Sequence, residues 1–492
     1  MKTAKKRQPA LTRTLYEEFR ARIADGTFSA GALLPSTRAL AAERGLSRTT
    51  VTLVYEQLAA EGFIETRTGA ASRVASGAAE PRQRRAKRED RAKGLAGRLS
   101  PIGERVASLP LSPSSPVGPN EIDFVYGPLS GSDFPMLSWL RALRGVERQR
   151  VRRMEYDDPL GHLSLRTALQ AHLSKTRGLV CSVDQLMIVN GSQQALDLCA
   201  RLLVEPGAGV VVENPGYRMA HHAFVAYGAR LLEIDVDEHG LKTEQLAAVG
   251  PAQLAYVTPT HQFPLGSFLT IARRRQLLDW AAQRKAWVVE DDYDSEYRYA
   301  VRPEATLQSL DGRDCVIHVG TFSKTLSPQL RLGYMVLPPA LVATFAAAKR
   351  ATDRHTATGV QQALAALLED GTYDRHVRRI RRLQYGRQRA LIGALERWFG
   401  NLVTVQGSAS GLHLVVWFPS LPRGREPTLV EAALSRGVRV HPIGPLYVPS
   451  KKDAHRPRSA GLVMGYALLD TAQIDKGVRA LAKALRDVLD RL

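Results

Sequence analysis

Six short, nearly unbroken aliphatic runs recur between residues 185 and 339: QLMIVNG, GVVVENP, AQLAYVTP, AWVVEDD, CVIHVG and YMVLPP. Their apolar positions do not alternate with polar ones, so each strand has to be covered on both faces. Stretches of helical periodicity separate them, and strands alternating with helices build a parallel sheet with helices on either side. Residues 120–492 are therefore expected to form one large α/β domain. No repeat with the period of a solenoid or propeller is present.

The start of the chain follows another plan. LTRTLYEEFRARIADGTF puts Leu11, Leu15, Phe19 and Ile23 on one helical face, with Gly26 as a stop. STRALAAERG predicts a second, short helix with Ser36 as N-cap, Leu40 facing inward and Gly45 as breaker. A third helix, capped by Ser47, carries the stripe Val51, Val54, Tyr55 and Leu58. Two short strands, GFIETR and ASRVA, follow around a turn at Thr68, Gly69 and Ala70. Three helices and a two-stranded wing over 8–76 are the winged helix-turn-helix plan. From 77 to 119 the pattern dissolves into the basic EPRQRRAKREDRAKG and the Pro/Ser-rich SLPLSPSSPVGPN, read as a flexible or partly extended linker able to touch DNA phosphates.

Charge agrees with a nucleic-acid partner without requiring one. The 492-residue chain carries a formal charge of +20, and Met1 to Arg105 holds 21 Lys or Arg against 11 Asp or Glu. Half the excess sits in about a fifth of the chain; a polyanion-binding face and a merely solvated basic face both fit. The three cysteines, Cys181, Cys199 and Cys315, have no paired spacing, so neither disulfides nor a metal site is expected, consistent with a reducing cytosol. The basic start lacks an apolar core, and no run reaches the roughly 18 residues of a membrane span. A soluble, cytoplasmic protein with no membrane partner is expected.

Polar residues gather just past several of the strands, where ligand crevices of open α/β sheets lie. VNGSQQALDLC starts a helix at Ser192 and Gln193, whose free amides and dipole favour a phosphate. WVVEDDYDSEYRY places Asp291 and Tyr293 past a buried strand, and GTFSKTLSPQLRLGY sets Thr321 and Ser323 beside Lys324, with Arg331 downstream. Each alone is also an ordinary helix start, acidic loop or surface lysine. Together they supply the amine that forms a Schiff base with pyridoxal phosphate, an aspartate for its ring nitrogen and donors for its phosphate. Tyr217 in ENPGYRMA offers an aromatic face, or is a core tyrosine after a turn.

These motifs resemble the MocR/GabR-type regulators, in which a GntR-like winged helix is joined to a fold-type I aminotransferase-like domain. LPSTRALAAERGLSRTTVTLVYEQLAAEGFIETRTG matches the first half, and ENPGY, TPTHQFPLG, EDDYDSEYRY and TFSKTLSPQLRLGY the second. The resemblance implies an internal aldimine on Lys324, Asp291 at the pyridine nitrogen, Tyr293 at the ring hydroxyl and Tyr217 stacked on the ring. It also implies phosphate held by Ser192, Gln193, Thr321, Ser323 and Arg331, with His261 near the ring. YDDPLGHLSLR resembles the segment that sends a tyrosine to the partner's phosphate, which implies a homodimer with Tyr156 crossing. On the DNA side the resemblance implies a recognition helix starting at Ser47. Arg38, Arg48, Thr49 and Thr50 become contact candidates, with Gly69 letting the wing approach the backbone, on double-stranded DNA with two half-sites.

Two positions depart from the pattern. Where relatives that recognise a carboxylate have arginines, this chain has Val463 in GLVMGYA and Met219 after ENPGY. A carboxylate ligand then lacks its clamp unless Arg218, Arg456 or Arg458 substitutes. The expectation is a transcription regulator that senses pyridoxal phosphate itself, or an amine joined to it as an external aldimine. The alternatives are an active aminotransferase with an accessory DNA-binding module, and a basic nucleic-acid protein whose large domain has lost its chemistry.

Overall fold

The computed structural model describes residues 8–66, 71–77, 99–111, 116–118, 120–148, 155–299, 305–448 and 457–491. The chain divides into two compact units, 1–104 and 105–492.

In the first unit the helices are α1 (Gln8–Ala24), α2 (Thr37–Arg44) and α3 (Arg48–Ala60). Leu15, Phe19, Ile23, Leu40, Val51, Val54, Tyr55 and Leu58 are all buried, as their spacing predicts. Each large aliphatic among them contributes roughly 1.5 to 3 kcal/mol by leaving water. Ser36 accepts from the Ala39 amide at 3.2 Å and Ser47 from the Thr50 amide at 3.1 Å, so both predicted caps form. Gly45 ends α2 in the left-handed region at φ 62. Strands β1 (Ile64–Glu65) and β2 (Arg73–Val74) pair antiparallel, Ile64 opposite Val74. The turn with Gly69 lies outside the described residues.

Within the stretch read as linker, Pro101–Ser108 forms a helix. The Ser100 hydroxyl accepts from the Gly103 amide at 3.2 Å, and Pro101 at the first position lacks only an amide that has no helical partner anyway. These end signals are local and are easily hidden in a Pro/Ser-rich composition.

The second unit begins with β3 (Ile122–Asp123) and is built on an eight-stranded sheet. Its strands are β4 (Leu186–Val189), β5 (Gly209–Asn214), β6 (Arg230–Asp237), β7 (Gly240–Leu241), β8 (Ala252–Val257), β9 (Trp287–Asp292), β10 (Val316–Thr321) and β11 (Gly333–Val336). Their order is β4-β11-β10-β9-β8-β5-β6-β7. Val210 and Val212 pack into the core on one face and Val211 into the core on the other, which is why the runs are aliphatic throughout. The strand β6 was not among the six predicted runs: RLLEIDVD alternates and is only partly buried. The expectation of a parallel sheet holds for the central strands, but β11 runs antiparallel to both neighbours. The segment 322–332 is too short for a helical crossover, so β10 and β11 form a hairpin.

A smaller sheet, ordered β12-β13-β16-β15, follows. It comprises β12 (Thr404–Gln406), β13 (His413–Pro422), β15 (His441–Pro442) and β16 (Ser459–Gly465), while β14 (Val438–Arg439) pairs in parallel with β3. Helices Thr372–Phe399 and Thr471–Leu489 contribute Leu391, Leu395, Val478 and Leu481 to a core with Leu414, Val416, Leu462 and Met464.

Candidate cofactor and DNA sites

The β10–β11 hairpin decides where the chemistry collects. Thr321 pairs with Gly333, so the loop carrying Ser323, Lys324 and Arg331 stands over the carboxyl end of the sheet. Gly333 also pairs with Val189 at the end of β4, which brings the helix Ser192–Leu203 alongside that loop. The approach is close enough to exclude side chains. A Cβ on Gly333 would lie 3.1 Å from the Ser192 amide nitrogen, and one on Gly191 would lie 2.7 Å from the Arg331 guanidinium. Arg331 itself takes a left-handed backbone at φ 52, and its Nη2 donates to the Asn190 carbonyl at 2.8 Å.

Between these elements lies a cavity of about 310 Å³. Ser192, Gln193, Tyr217, Asp291, Tyr293, Thr321, Ser323, Lys324 and Arg331, scattered over the sequence, all line it. Where the helix start meets the hairpin loop, the helix amino terminus, the hydroxyls of Ser192, Thr321 and Ser323, and Arg331 make a cationic cradle of donors suited to a phosphate. The Gln193 side-chain amide donates to the Met219 carbonyl at 3.1 Å.

Asp291 lines the same cavity. Its Oδ2 accepts from the Tyr256 hydroxyl at 2.7 Å, while Oδ1 is buried and has no hydrogen-bond partner among the described residues. Burial pushes this carboxyl up to about 6, against the opposing pull of the Tyr256 hydrogen bond. An unmatched buried acceptor costs about 1 to 3 kcal/mol, so the site is poised to receive an N–H donor. Lys324 lies in the same cavity, its Nζ donating to the Gly127 carbonyl at 2.8 Å. Burial holds its amine below the usual lysine range although Asp294 and Asp291 pull the other way. A larger neutral fraction makes the amine a better nucleophile.

Tyr217 stands edge-on to Phe263, ring centroids 5.8 Å apart, and burial raises its hydroxyl to about 12. His261 is buried just outside the lining, its Nδ1 2.9 Å from Asp294 Oδ2 and 2.9 Å from the Tyr293 hydroxyl. It therefore reaches the cavity through Tyr293 and Asp294. Tyr156 does not line the cavity: it is 73% exposed, with Arg354 over its ring at 4.6 Å.

The sequence reading missed Tyr256, Gly127, Tyr126, Phe263, Asp294 and His413, which also line the cavity. Tyr256 and His413 carried a signal, a polar tip inside or at the head of an aliphatic strand. Burial lowers His413 to about 4, so it faces the cavity as a neutral ring. The two departures noted in the sequence also find their places. Val463 is buried in an apolar cluster with Phe263, and Met219 is 37% exposed. Arg218 and Arg458 are not among the lining residues, and Arg456 lies outside the described ones.

In the N-terminal unit Arg38, Ser47, Arg48 and Thr49 are exposed. Thr50 is a correction: it is 4% exposed, and its hydroxyl lies 2.8 Å from that of Ser47. Its polar atom completes the cap of α3 and is not free to reach a base edge.

Comparison with known proteins agrees with this arrangement. The aminotransferase class I and II family profile matches residues 125–481, and that of the bacterial regulatory proteins of the gntR family matches 11–74. A probable rhizopine catabolism regulatory protein MocR of Rhizobium meliloti is 35% identical, covering 96% of this chain and 93% of its own. The chain belongs to the MocR-type transcriptional regulators. Another relative, the pyridoxine biosynthesis transcriptional regulator PdxR of Corynebacterium glutamicum, is 30% identical over 87% of this chain and 86% of its own. The large domain resembles the kynurenine aminotransferase of Pyrococcus horikoshii solved with PMP, with TM-score 0.68 and 30% identity over 80% of this chain and 96% of that one. As a MocR-type regulator this chain combines a DNA-binding domain of the gntR family with an aminotransferase-like domain whose cofactor is pyridoxal phosphate. The cavity fits that cofactor: it brings together a cradle of donors for a dianion, a carboxylate oxygen without a partner among the described residues for a ring N–H, and the Lys324 amine. No helix among the described residues is long and apolar enough to cross a membrane.

Proposed function

We propose that this regulator holds pyridoxal phosphate on Lys324 and changes its grip on operator DNA when the cofactor, or an amine that displaces Lys324 from it, occupies the cavity. The observation that carries the reading is the meeting of Lys324, the unpartnered Oδ1 of Asp291 and the Arg331 cradle in one cavity. When bound, the cofactor supplies an aldehyde that condenses with amines and a ring that withdraws electrons. The chain's own residues do the rest. Asp291 accepts from the ring nitrogen and keeps it protonated, and Tyr256 holds the carboxylate in place. Tyr217 covers a ring face, Tyr293 meets the ring hydroxyl with His261 and Asp294 behind it, and Ser192, Gln193, Thr321, Ser323 and Arg331 bind the phosphate.

The reading as a sensor follows the two positions where this chain departs from carboxylate-recognising relatives, Val463 and Met219; among the described lining residues the one arginine is Arg331, beside the phosphate donors. Pyridoxal phosphate itself is the leading effector, with vitamin B6 metabolism as the regulated process. The working species is a cytoplasmic homodimer with Tyr156 reaching the partner's site, bound to two half-sites through Arg38, Arg48 and Thr49. A ligand shifts such an equilibrium only by its difference in affinity for the two states.

The test is operator affinity by fluorescence anisotropy, with and without pyridoxal phosphate and candidate amines. A change of tenfold or more is expected for the wild type and none for Lys324→Ala; unchanged wild-type affinity under every addition contradicts the proposal. Sustained conversion of amine and keto-acid pairs would establish an aminotransferase instead.

A further inference from the structure

A second cavity, of about 340 Å³, lies close to the cofactor cavity. The last two residues of β9 point to opposite faces of the sheet. Asp291 lines the first cavity, whereas Asp292 lies 3.3 Å from Arg177, which lines the second.

The second cavity is strongly cationic: Lys175, Arg177, Arg298, Arg378 and Arg381 line it against the carboxylates of Glu296 and Asp374. Those carboxylates are already engaged. Glu296 lies 2.9 Å from Arg177, and Asp374 lies 3.4 Å from His172 and 3.9 Å from Lys175. Arg378 and Arg381, three positions apart on one face of the helix Thr372–Phe399, make no ion pair among the described residues and are exposed. Two guanidinium groups with no ion pair among the described residues, both lining one concave site, exceed what a single carboxylate needs, and match a dianion with three acceptor oxygens. We propose that this second cavity binds a small phosphate-bearing anion. Its wall also supports the cofactor lysine: the Tyr373 hydroxyl, in the cavity lining, lies 2.9 Å from that of Thr325, the neighbour of Lys324. An occupant would thus sit one side chain away from the backbone that fixes Lys324.

The test is calorimetric titration of the full-length protein, saturated with pyridoxal phosphate, using inorganic phosphate and glucose 6-phosphate at low salt. Saturable binding at one site per chain is expected, weakened tenfold or more in Arg378→Ala/Arg381→Ala. It should be unchanged in Arg382→Ala/Arg389→Ala, which removes two exposed arginines of the same helix that do not line the cavity. No saturable binding to the wild type, or equal weakening by both double variants, would overturn the proposal. So would a Arg378→Ala/Arg381→Ala effect confined to non-operator duplex DNA, which would assign these arginines to a nucleic-acid backbone. The visible band of the cofactor on Lys324 reads the first cavity separately, so failure at the second site is distinguishable from failure of the cofactor reading.

Discussion

Asp291 has two oxygens in unlike surroundings, one satisfied by Tyr256 and one with no partner among the described residues. An aspartate in an unfolded chain titrates at about 4, whereas burial lifts Asp291 to about 6. The folded state therefore holds a proton that the unfolded chain has already lost, and the charged carboxylate costs stability that is fully felt above that folded value. Asp291→Asn should stabilise the cofactor-free protein at alkaline pH by on the order of 3 kcal/mol. The gain should fade as pH falls towards the unfolded value, while cofactor affinity drops at every pH. Thermal unfolding at pH 8 and pH 4.5 checks this; a lower melting temperature for the variant at pH 8 contradicts it. At the DNA face the structure separates two neighbours. Ser47→Ala should cost about 1 kcal/mol of stability through the lost cap, and Arg48→Ala should leave stability alone. If Arg48 reads a base edge its removal costs roughly 1 to 3 kcal/mol on operator DNA only; equal loss on unrelated DNA would assign it to a phosphate. The residues legible in the sequence were those whose chemistry is in the side chain, such as Lys324 between Ser323 and Thr325, and Arg331 a few positions on. Gly127 was not legible, because it contributes a carbonyl that every residue has.

At the scale of elements, the site depends on a hairpin and a helix start approaching more closely than side chains allow. Gly191 has φ 80 and ψ 161, a region almost confined to glycine, and a Cβ there would also press on Arg331. Gly191→Ala should weaken pyridoxal phosphate at least tenfold, about 1.4 kcal/mol, while pyridoxal, lacking the phosphate, reacts with variant and wild type alike. Equal loss for both ligands in a spectrophotometric titration would place the damage in the fold as a whole. The aliphatic strands were legible because burial on both faces leaves one kind of sequence. The strand β6 was not, since its partial exposure permits polar residues, and the direction of β11 was set by the length of the loop before it. The helix at Pro101–Ser108 rests on one side-chain cap inside a composition typical of linkers.

For the molecule as a whole, a charge of +20 predicts DNA binding that falls steeply with salt. Operator affinity measured from low to moderate salt should give a linear log–log plot, and a slope near zero would remove the basic surface from the account. Both domains were readable because each has its own periodicity. Effector and operator were not, since they depend on the shape of a cavity lined by residues far apart in the sequence and on DNA contacts that no single segment encodes. Everything proposed about sensing depends on Lys324. The most direct measurement is the visible absorption spectrum of the full-length protein supplied with pyridoxal phosphate, beside that of Lys324→Ala. A Schiff-base band in the wild type that is absent from the variant is the predicted result. A band that persists in the variant, or is missing from both proteins, would contradict it.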